Sequence, residues 1–328
     1  MPRRRELWFI APQRVEIRSG AELGPVEPGK VRARALASGV SQGTEVLLYR
    51  GEGPTPFDPS LDPPGTPTYP RRYGYAWVGQ IVDSEADGLP VGSRLFALAP
   101  HGDEHILDAR HVRLLPGSLP VERATLAANL ETAVTVIWDA EVALGDNVAV
   151  VGGGIVGLLC GWLARRGGAG RVRLIEPSPR RRKAALALGI DEAVAPEHDV
   201  PLAEEDVVIE ATGDPASLDR AISLAARDAK VVVASFYGER KSPVALGAAF
   251  HRRRLELKAS QVSQIPPRKT ARWTMARRFE LVLELLHDGR LDALLDPPIA
   301  FGQAPSAYAR LSADPGGTVH TVFSYEDG

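Results

Sequence analysis

The sequence predicts an α/β protein in which a β-rich domain precedes a doubly wound parallel sheet. Short β-type runs separated by turns fill the first third of the chain, whereas strands and helices alternate from Asn147 onward. A glycine-rich turn joins a strand to a helix at the start of the alternating part. With 328 residues, 44% of them hydrophobic, the chain is long enough for two domains with real cores.

The N-terminal part predicts a compact barrel-like domain, because its β-type runs show no helical periodicity. The runs span residues 7–10, 14–17, 30–37, 77–83, 94–97 and 112–115. Between the third and fourth runs, residues 51–75 are too rich in proline for regular structure. A loop of this length inside a compact domain is typical of a functional or disordered segment.

The remaining chain predicts helices first and then a regular alternation. Apolar spacing predicts two helices within residues 120–144. The predicted strands are residues 148–151, 172–175, 193–195, 207–210, 231–235 and 255–259, and the helices between them are residues 155–166, 179–188, 215–226 and 243–251. Six strands in this rhythm predict a doubly wound sheet. A further amphipathic helix over 272–289 and two β-like pieces, 298–301 and 318–323, complete the chain.

The second domain depends on residues 147–176, which read as strand, turn, helix and strand. The turn fits the pattern G-x-G-x-x-G at the position where a dinucleotide fold needs it. The residues expected to hold a pyrophosphate are Gly152, Gly154, Ile155, Val156 and Gly157. The glycines permit a tight turn, close approach of backbone N–H groups and close packing of the helix. A glycine-rich turn without a dinucleotide, or a site for S-adenosylmethionine, is the alternative.

Residues beyond the second strand bear on the choice of nucleotide. Glu176 lies about 20 residues beyond the glycine pattern, where a carboxylate accepts hydrogen bonds from an adenosine ribose. This position favours NAD over NADP, because a 2′-phosphate would meet the carboxylate. Arg180, Arg181 and Arg182 follow directly and keep NADP possible, because they could receive a phosphate.

Composition excludes several classes of partner and site. A net charge of -2 and a pI near 6.4 give no reason to propose a nucleic acid or a membrane surface. No apolar run approaches the ~20 residues of a membrane span, and the N-terminus lacks an apolar signal region, which predicts a cytoplasmic protein. Cys160 is the single cysteine, so neither an intrachain disulfide nor a four-cysteine zinc site can form.

The order of these parts resembles the medium-chain dehydrogenase/reductase superfamily. The motifs that carry the resemblance are ASGVSQGTEVLLYRGE (37–52), YGYAWVGQIV (73–82), the glycine pattern, DVVIEATGDP (206–215), VVVASFYGE (231–239) and FHRRRLELKASQ (250–261). The resemblance implies a GroES-like catalytic domain over 1–122, a Rossmann domain over 123–262 and a C-terminal segment, 263–328, that returns to the first domain. It also implies a homodimer, with residues 255–260 as an edge strand that continues the sheet.

The zinc ligands of the superfamily are replaced in this sequence. Zinc-dependent members carry a cysteine before a Gly-Thr-Asp segment, a Gly-His-Glu motif and a third ligand. Here Ser41 and Gln42 precede Gly-Thr-Glu, Tyr75 and Ala76 follow the glycine, and the third position falls near Ala128 and Asn129. Because catalytic zinc needs about three N, S or carboxylate donors, we predict no metal. The alternative metal site is His101, Asp103, Glu104 and His105.

The segments SGVSQGTE and YGYAWVG look most like a zinc-lacking branch that includes bacteriochlorophyllide hydroxyethyl dehydrogenases. That branch oxidises a secondary alcohol to a ketone with NAD. Ala76 departs from a glutamate of the branch, and the proline-rich loop differs. The resemblance therefore implies a relative that acts on another alcohol.

Without a metal, the group that polarises the substrate oxygen must be a hydrogen-bond donor or an acid. By the resemblance, Tyr75 takes the place of the lost histidine ligand, and Thr44 matches a hydroxyl that relays protons. His101 has a side chain suited to proton exchange near neutral pH, and Glu45 and Glu131 are candidate orienting carboxylates. The alternatives are a packed aromatic for Tyr75, a surface histidine for His101 and ordinary salt bridges for the two glutamates.

The resemblance and the strand ends add further cofactor contacts. By the resemblance, Thr132 would touch the nicotinamide. The residues that follow the fourth and fifth predicted strands open onto the ligand crevice of a doubly wound sheet, and they are Thr212, Gly213, Ser235, Phe236 and Tyr237. Phe236 is alternatively a core residue.

Three functions fit the sequence. The first is a zinc-independent oxidoreductase that transfers hydride between NAD(H) and a secondary alcohol or ketone. The second is an NADPH-dependent reductase of quinones or activated alkenes. The third is a nucleotide-binding protein without turnover, such as a redox sensor.

Overall fold

The computed structural model describes residues 4–53, 67–198 and 200–325. The strands are β1 (Arg5–Ala11), β2 (Arg14–Ser19), β3 (Lys30–Gly39), β4 (Trp77–Ser84), β5 (Arg94–Ala97), β6 (Glu104–Asp108), β7 (Val112–Leu114), β8 (Asn147–Val151), β9 (Arg171–Ile175), β10 (Glu192–Val194), β11 (Glu205–Glu210), β12 (Ala225–Val233), β13 (Glu256–Ala259), β14 (Ile299–Ala300) and β15 (Val322–Ser324). The α-helices are α1 (Gln42–Arg50), α2 (Val121–Ala124), α3 (Ala127–Ala140), α4 (Ile155–Arg166), α5 (Pro179–Ala187), α6 (Ser217–Leu224), α7 (Met275–Leu285) and α8 (Ala304–Ala313). None of the helices in the described ranges is long and apolar enough to cross a membrane.

The chain divides into two compact units, and the α/β fold class predicted from the sequence is confirmed. The first unit is Met1–Ala128 with Leu295–Gly328, and the second is Asn129–Leu294. The predicted boundaries differ, because residues 263–294 belong to the second unit. Arg278 of α7 is one residue that joins this segment to the second unit, because it is 1% exposed and donates to Glu131 and Thr135 of α3.

The first unit contains a β1–β2 hairpin and a larger, mostly antiparallel sheet. The larger sheet has the order β14-β15-β3-β4-β5-β7, and β6 also pairs with β3. Alternate residues of β3 are buried, as expected for a strand with one face on the core. The core of this unit includes Leu7, Phe9, Leu48, Tyr308 and Phe323.

Two elements of the first unit depart from the prediction that its β-type runs are separated by turns alone. Helix α1 follows β3 directly, and all five residues from Glu45 to Tyr49 are buried. A helix buried on so many sides shows no clear amphipathic period, which explains why its sequence did not indicate a helix. Strand β6 was also missed, although it pairs with β3 over five residues. Most of the proline-rich loop, residues 54–66, lies outside the described residues.

The second unit is built on six parallel strands, as predicted, and the structure gives their order as β10-β9-β8-β11-β12-β13. The chain leaves β8 toward one edge and returns to β11 on its other side, so the order reverses between these two strands. Val151 and Glu210, which end them, are paired in register. In doubly wound sheets, ligands bind at the carboxyl ends of strands at such a reversal.

One predicted helix of the second unit is wrong. The segment 243–251 contains only a π-type turn, Leu246–Phe250, with a non-helical backbone at Ala248. Leu246 is 48% exposed, so the segment lacks the buried apolar stripe that stabilises a regular surface helix.

Two buried histidines are expected to make the first unit sensitive to acid. Burial lowers the pKa of His105 and of His320 from 6.5 to about 4. Because the unfolded chain binds these protons near pH 6.5 and the folded chain only near pH 4, the free energy of unfolding falls as the pH drops through this window. The expected loss is on the order of 3 kcal/mol per histidine.

Denaturant unfolding at several pH values between about 4 and 7 measures this effect. His105→Gln and His320→Gln should each flatten the pH dependence, whereas His111→Gln, at an exposed position, should leave it unchanged. An equal slope in all four proteins would contradict the assignment.

Candidate functional site

A tight glycine turn links β8 to α4 in the second unit. Gly152 has a φ of 101°, which L side chains rarely adopt, and an added Cβ would lie 2.7 Å from the backbone of Ala211 and Thr212. At Gly157 an added Cβ would lie 1.9 Å from the carbonyl oxygen of Gly152. Both positions therefore require glycine for steric reasons, whether or not a nucleotide binds.

The first turn of α4 offers unsatisfied N–H groups. Gly154 is the N-cap residue and has no side chain that could cap the helix. The N–H groups of Ile155, Val156 and Gly157 lack acceptors within the helix, as at any helix N-terminus. An added Cβ on Gly154 would meet no atom of the described residues within 4 Å. The structure thus brings together the five residues predicted to hold a pyrophosphate, at a position suited to an anion.

Glu176 follows β9 and lies against this turn. Its carboxylate accepts hydrogen bonds from the N–H groups of Gly153, at 2.7 Å, and Ser178, at 2.8 Å. An added Cβ on Gly153 would lie 2.8 Å from Glu176 Cγ, so the glycine makes room for the carboxylate. A carboxylate has about four acceptor positions, which leaves capacity for ribose hydroxyls.

The arginines after Glu176 belong to the start of α5. Arg182 Nη1 donates to the backbone carbonyls of Glu176 and Pro177, each at 2.7 Å. The N–H of Arg181 donates to the side chain of Ser178, the N-cap residue. Arg180 is exposed, and Arg181 is half-buried. The guanidinium group of Arg182 is therefore held by the turn itself.

A buried glutamate joins the predicted cofactor residues at the ends of β11 and β12. Glu210 is fully buried and accepts hydrogen bonds from the N–H and hydroxyl of Thr212 and from the hydroxyl of Tyr237. The N–H of Gly213 donates to Ser235 Oγ at 2.8 Å. Burial and the Glu210 carboxylate raise the pKa of Tyr237. Glu210 was not predicted as a site residue, although an acidic residue at the end of an apolar strand indicates a group at the ligand-binding edge of the sheet.

Two further predictions in the second unit concern Glu131 and Phe236. Glu131 makes an ion pair with both Nε and Nη2 of Arg278, at 3.1 and 3.0 Å, so the salt-bridge alternative describes it. The neighbouring Thr132, the predicted nicotinamide contact, is half-buried on the same helix. Phe236 is 45% exposed, so its alternative assignment to the core is wrong.

Three hydroxyl groups of the first unit form a cluster, which we call the hydroxyl cluster: Ser41, Thr44 and Tyr75. The Tyr75 hydroxyl donates to Ser41 Oγ and lies 3.2 Å from Thr44 Oγ1. Ser41 precedes α1, and Thr44 lies in its first turn. Gly74 has a φ of 126°, and an added Cβ there would lie 2.8 Å from the ring of His101. The backbone that presents Tyr75 therefore depends on this glycine.

His101 is a buried residue, and its alternative assignment to the surface is wrong. It is 1% exposed, with Nδ1 at 2.6 Å from Ser38 Oγ and Nε2 at 2.9 Å from Glu45 Oε2. Because a carboxylate only accepts, Nε2 donates to Glu45, while Nδ1 shares a hydrogen bond with the Ser38 hydroxyl. The Ser38 hydroxyl is also 2.7 Å from the hydroxyl of Tyr325.

Glu45 connects His101 to the start of α1. The carboxylate is fully buried, and it also accepts the hydroxyl of Tyr308 and the N–H of Ser41, the latter at 2.8 Å. Burial and the nearby carboxylate raise the pKa of Tyr308. Glu45 and His101 thus orient the segment that carries the hydroxyl cluster. Ser38 and Tyr308 were missed, because no local pattern marks either as a partner.

The alternative metal set does not converge. His105 Nε2 donates to the carbonyl of Pro100 at 2.8 Å, and Asp103 binds Arg5. His101 is committed to Ser38 and Glu45. Across residues 4–53, 67–198 and 200–325, no group of three or more His, Cys, Asp or Glu side chains is arranged to hold a metal ion.

The family model that matches this chain is described as a zinc-binding dehydrogenase and covers residues 156–279. The chain is 26% identical to D-guloside 3-dehydrogenase of Escherichia coli K12, over 85% of this chain and 88% of that protein. It is 29% identical to 2-desacetyl-2-hydroxyethyl bacteriochlorophyllide A dehydrogenase of Cereibacter sphaeroides, over 66% of this chain and 70% of that protein.

Solved structures match nearly the whole fold. The 2R,3R-butanediol dehydrogenase of Bacillus subtilis superposes with a TM-score of 0.81 at 20% identity, over 98% of this chain and all of that chain. An alcohol dehydrogenase of Escherichia coli, solved with NADH, gives 0.78 at 18% identity over 98% and 99%. A putative zinc-binding dehydrogenase of Sinorhizobium meliloti, solved with NADP, gives 0.79 at 19% over 99% and 100%.

The residues of the first unit do not fit the zinc ion that the family model implies. Zinc in proteins takes thiolate, imidazole or carboxylate ligands. Ser41 and Tyr75, which the resemblance aligns with two of the ligand positions, offer hydroxyl groups instead. The neighbouring imidazole of His101 and carboxylate of Glu45 are both committed to partners within the protein. We therefore derive no chemical step through zinc.

Proposed function

Because the chain belongs to the medium-chain dehydrogenase/reductase superfamily, we propose that it transfers hydride between NAD(H) and a small secondary alcohol or ketone without zinc. Members of this superfamily are oxidoreductases. The relatives of this chain include D-guloside 3-dehydrogenase and (R,R)-butanediol dehydrogenase, whose substrates are alcohols. The observation that carries the finer proposal is the hydroxyl cluster, in which Tyr75, the residue that the resemblance aligns with a lost histidine ligand, is hydrogen-bonded to Ser41 and Thr44.

The hydroxyl cluster supplies the proton chemistry in this proposal. In ketone reduction the Tyr75 hydroxyl donates its proton to the substrate oxygen and is left as a phenolate, and in alcohol oxidation this phenolate takes the hydroxyl proton of the alcohol. Thr44 and Ser41 hold the phenol in place through their hydrogen bonds. Glu45 and His101 act as positioning residues, because their contacts fix the Ser41 backbone and the start of α1.

The second unit would hold the nucleotide, which supplies hydride transfer at its nicotinamide ring when bound. The N–H groups after Gly154 suit its pyrophosphate, and Glu176 suits a ribose with two free hydroxyls. A 2′-phosphate would bring negative charge against the Glu176 carboxylate, which supports NAD over NADP. One of the solved neighbours was crystallised with NADH and another with NADP. The choice between the two nucleotides is therefore tested by measuring binding to this chain.

The test is a panel of secondary alcohols and ketones assayed with NAD(H) and with NADP(H), before and after treatment with a chelator. We expect NAD-dependent turnover that survives chelation, and metal analysis that finds no stoichiometric zinc. Turnover restricted to quinones or enones with NADPH would favour the reductase function instead. Tight NAD binding with no turnover on any substrate would favour the redox sensor.

Glu176→Gln is expected to weaken NAD binding by about tenfold to a hundredfold, because hydrogen bonds to a charged group contribute about 1.5–3 kcal/mol. The loss for NADP should be smaller, so the preference between the two nucleotides should narrow. Titrations followed by nucleotide fluorescence measure both dissociation constants. Glu204→Gln, at an exposed position of the same unit, serves as the control. An unchanged NAD/NADP ratio in Glu176→Gln would contradict the role of Glu176.

We also propose a homodimer formed through β13, which is the edge strand of the six-stranded sheet. An edge strand leaves N–H and C=O groups that can pair with a second copy. Leu257 on this strand is 36% exposed, which suits contact with a partner. Light scattering should give a dimer for the native chain and a monomer for Leu257→Lys, whereas Leu186→Lys, at an exposed leucine of α5, should remain dimeric. A native monomer would refute the proposal.

A further inference from the structure

A cavity of about 490 Å³ opens in the first unit beside the β1–β2 hairpin. Its chemically distinctive lining residues are Arg4, Glu6, Trp8, Arg18, Arg72 and His105. The lining includes neither the hydroxyl cluster nor Glu45 and His101. The cavity is therefore separate from the groups that the proposed reaction uses.

The alternation of β1 places polar side chains in this cavity. Leu7 and Phe9 are fully buried in the core, so Glu6 and Trp8, which alternate with them, face the opposite side of the strand. In the hairpin register, Glu6 lies directly opposite Arg18 on β2. The sequence RELWF thus supplies both faces, with its leucine and phenylalanine in the core and its glutamate and tryptophan in the cavity.

A buried carboxylate fixes two of the three guanidinium groups. Glu6 is 5% exposed, and its carboxylate lies 2.8 Å from Arg4 Nη2 and 2.6 Å from Arg72 Nη1. The indole N–H of Trp8 also donates to Glu6, at 3.1 Å. These contacts hold the arginines and the indole in place before any ligand binds, which lowers the entropic cost of binding.

Cationic groups flank the indole ring on which a ligand could pack. The guanidinium carbons of Arg18 and Arg72 lie 5.8 and 5.9 Å from the centre of the Trp8 ring. Arg18 is paired with Glu16 on its own strand. Arg72 uses Nη1 for Glu6, while its Nε and Nη2 bond to no group among the described residues. Arg72 therefore keeps donors for a further acceptor.

The charges within the cavity do not balance. Three guanidinium groups line the cavity against one lining carboxylate, Glu6, and Glu16 pairs with Arg18 from outside the lining, so one positive charge remains in excess. His105 is neutral near pH 7 because burial lowers its pKa to about 4. Guanidinium groups bind phosphate and carboxylate oxygens in pairs of hydrogen bonds. We propose that this cavity binds a small-molecule oxyanion, a phosphate or carboxylate group, with a flat apolar part of the ligand against Trp8. The site is independent of the proposed redox function.

Calorimetric titration of the full chain, without nucleotide and at constant ionic strength, tests the proposal. Inorganic phosphate probes a phosphate group, and benzoate probes a carboxylate on a flat ring. We expect saturable binding of at least one probe. Arg72→Gln and Arg18→Gln should each weaken that binding by about tenfold, since one charge-assisted hydrogen bond contributes about that factor. Arg110→Gln, an exposed arginine of the same unit outside the cavity, should bind like the native chain.

The outcomes distinguish a phosphate ligand from a carboxylate ligand. They also distinguish binding in this cavity from binding at the glycine turn before α4. Binding of phosphate alone assigns a phosphate ligand, and binding of benzoate alone assigns a carboxylate. Phosphate held by the glycine turn of the second unit would not respond to Arg72→Gln or Arg18→Gln. The proposal is overturned if neither probe binds, or if neither arginine variant weakens binding in a chain whose circular dichroism is native.

Discussion

Replacing Tyr75 by phenylalanine is expected to lower kcat/KM for alcohol oxidation by about a hundredfold to ten-thousandfold, the usual contribution of a general acid or base. The change removes one hydroxyl from the cluster and keeps the ring, whose edge packs against Tyr73 at 6.0 Å between centroids. Steady-state kinetics should show the loss mainly in kcat, while the dissociation constant of NAD stays unchanged. This separation distinguishes lost chemistry from lost folding.

Tyr49→Phe is the matched control for this experiment. Tyr49 is a buried phenol in the same core, stacked on Tyr308 at 5.9 Å, and it does not belong to the hydroxyl cluster. Its variant should keep the activity of the native chain. Thr44→Val should give a smaller loss than Tyr75→Phe, because Thr44 only supports the phenol. Near-native turnover by Tyr75→Phe would remove Tyr75 from the reaction and leave the hydroxyl cluster without a chemical role.

Gly157→Ala is expected to destabilise the second unit by more than about 3 kcal/mol and to abolish measurable NAD binding. The new Cβ would lie 1.9 Å from a backbone carbonyl oxygen, which cannot move aside as a flexible side chain can. Ordinary overpacking of a core costs about 1–3 kcal/mol, so a backbone clash of this size should exceed that range. Thermal unfolding and nucleotide titration measure the two effects.

Gly154→Ala separates folding from binding at the same turn. Gly154 has an ordinary extended backbone, and an added Cβ meets none of the described atoms within 4 Å, so Tm should change little. NAD binding should nevertheless weaken by about tenfold or more, because the methyl group would stand where backbone N–H groups meet a pyrophosphate. Tight NAD binding by both variants would show that the nucleotide does not rest on α4.

The parts of the fold that local sequence specifies were predictable. Helix α4 has the predicted bounds, because glycines precede it and its apolar residues recur at helical spacing. Helix α1 was not predictable in the same way, because burial of residues 45–49 removes the contrast between an apolar and a polar face. Residues 263–294 make long-range contacts with the second unit, such as those of Arg278, whose partners lie 143 and 147 positions away. No local pattern contains that information.

In the candidate site, too, the features specified by local sequence were predictable and those that depend on long-range contacts were not. The glycine turn and Glu176 lie within one continuous stretch, so spacing alone brought them together in the prediction. The resemblance gave Thr44 and Tyr75 separate roles but predicted no contact between them, and tertiary packing joins them across 31 positions. The buried hydrogen bonds of His101 go to Ser38 and Glu45, and Glu45 is in turn bound by Tyr308, so they depend on two parts of the chain that lie far from position 101. A solitary imidazole in a loop therefore looked like a surface group.

The two backbone hydrogen bonds on the Glu176 carboxylate have a consequence for affinity. They fix the rotamer of this side chain in the unliganded protein, so an incoming ribose would find its acceptor already oriented. Immobilising a flexible side chain on association costs about 0.5–1.5 kcal/mol, and this protein has met that cost on folding. Gly153→Ala, whose added Cβ would lie 2.8 Å from Glu176 Cγ, should therefore push the carboxylate out of this rotamer and weaken nucleotide binding by up to about tenfold in a titration.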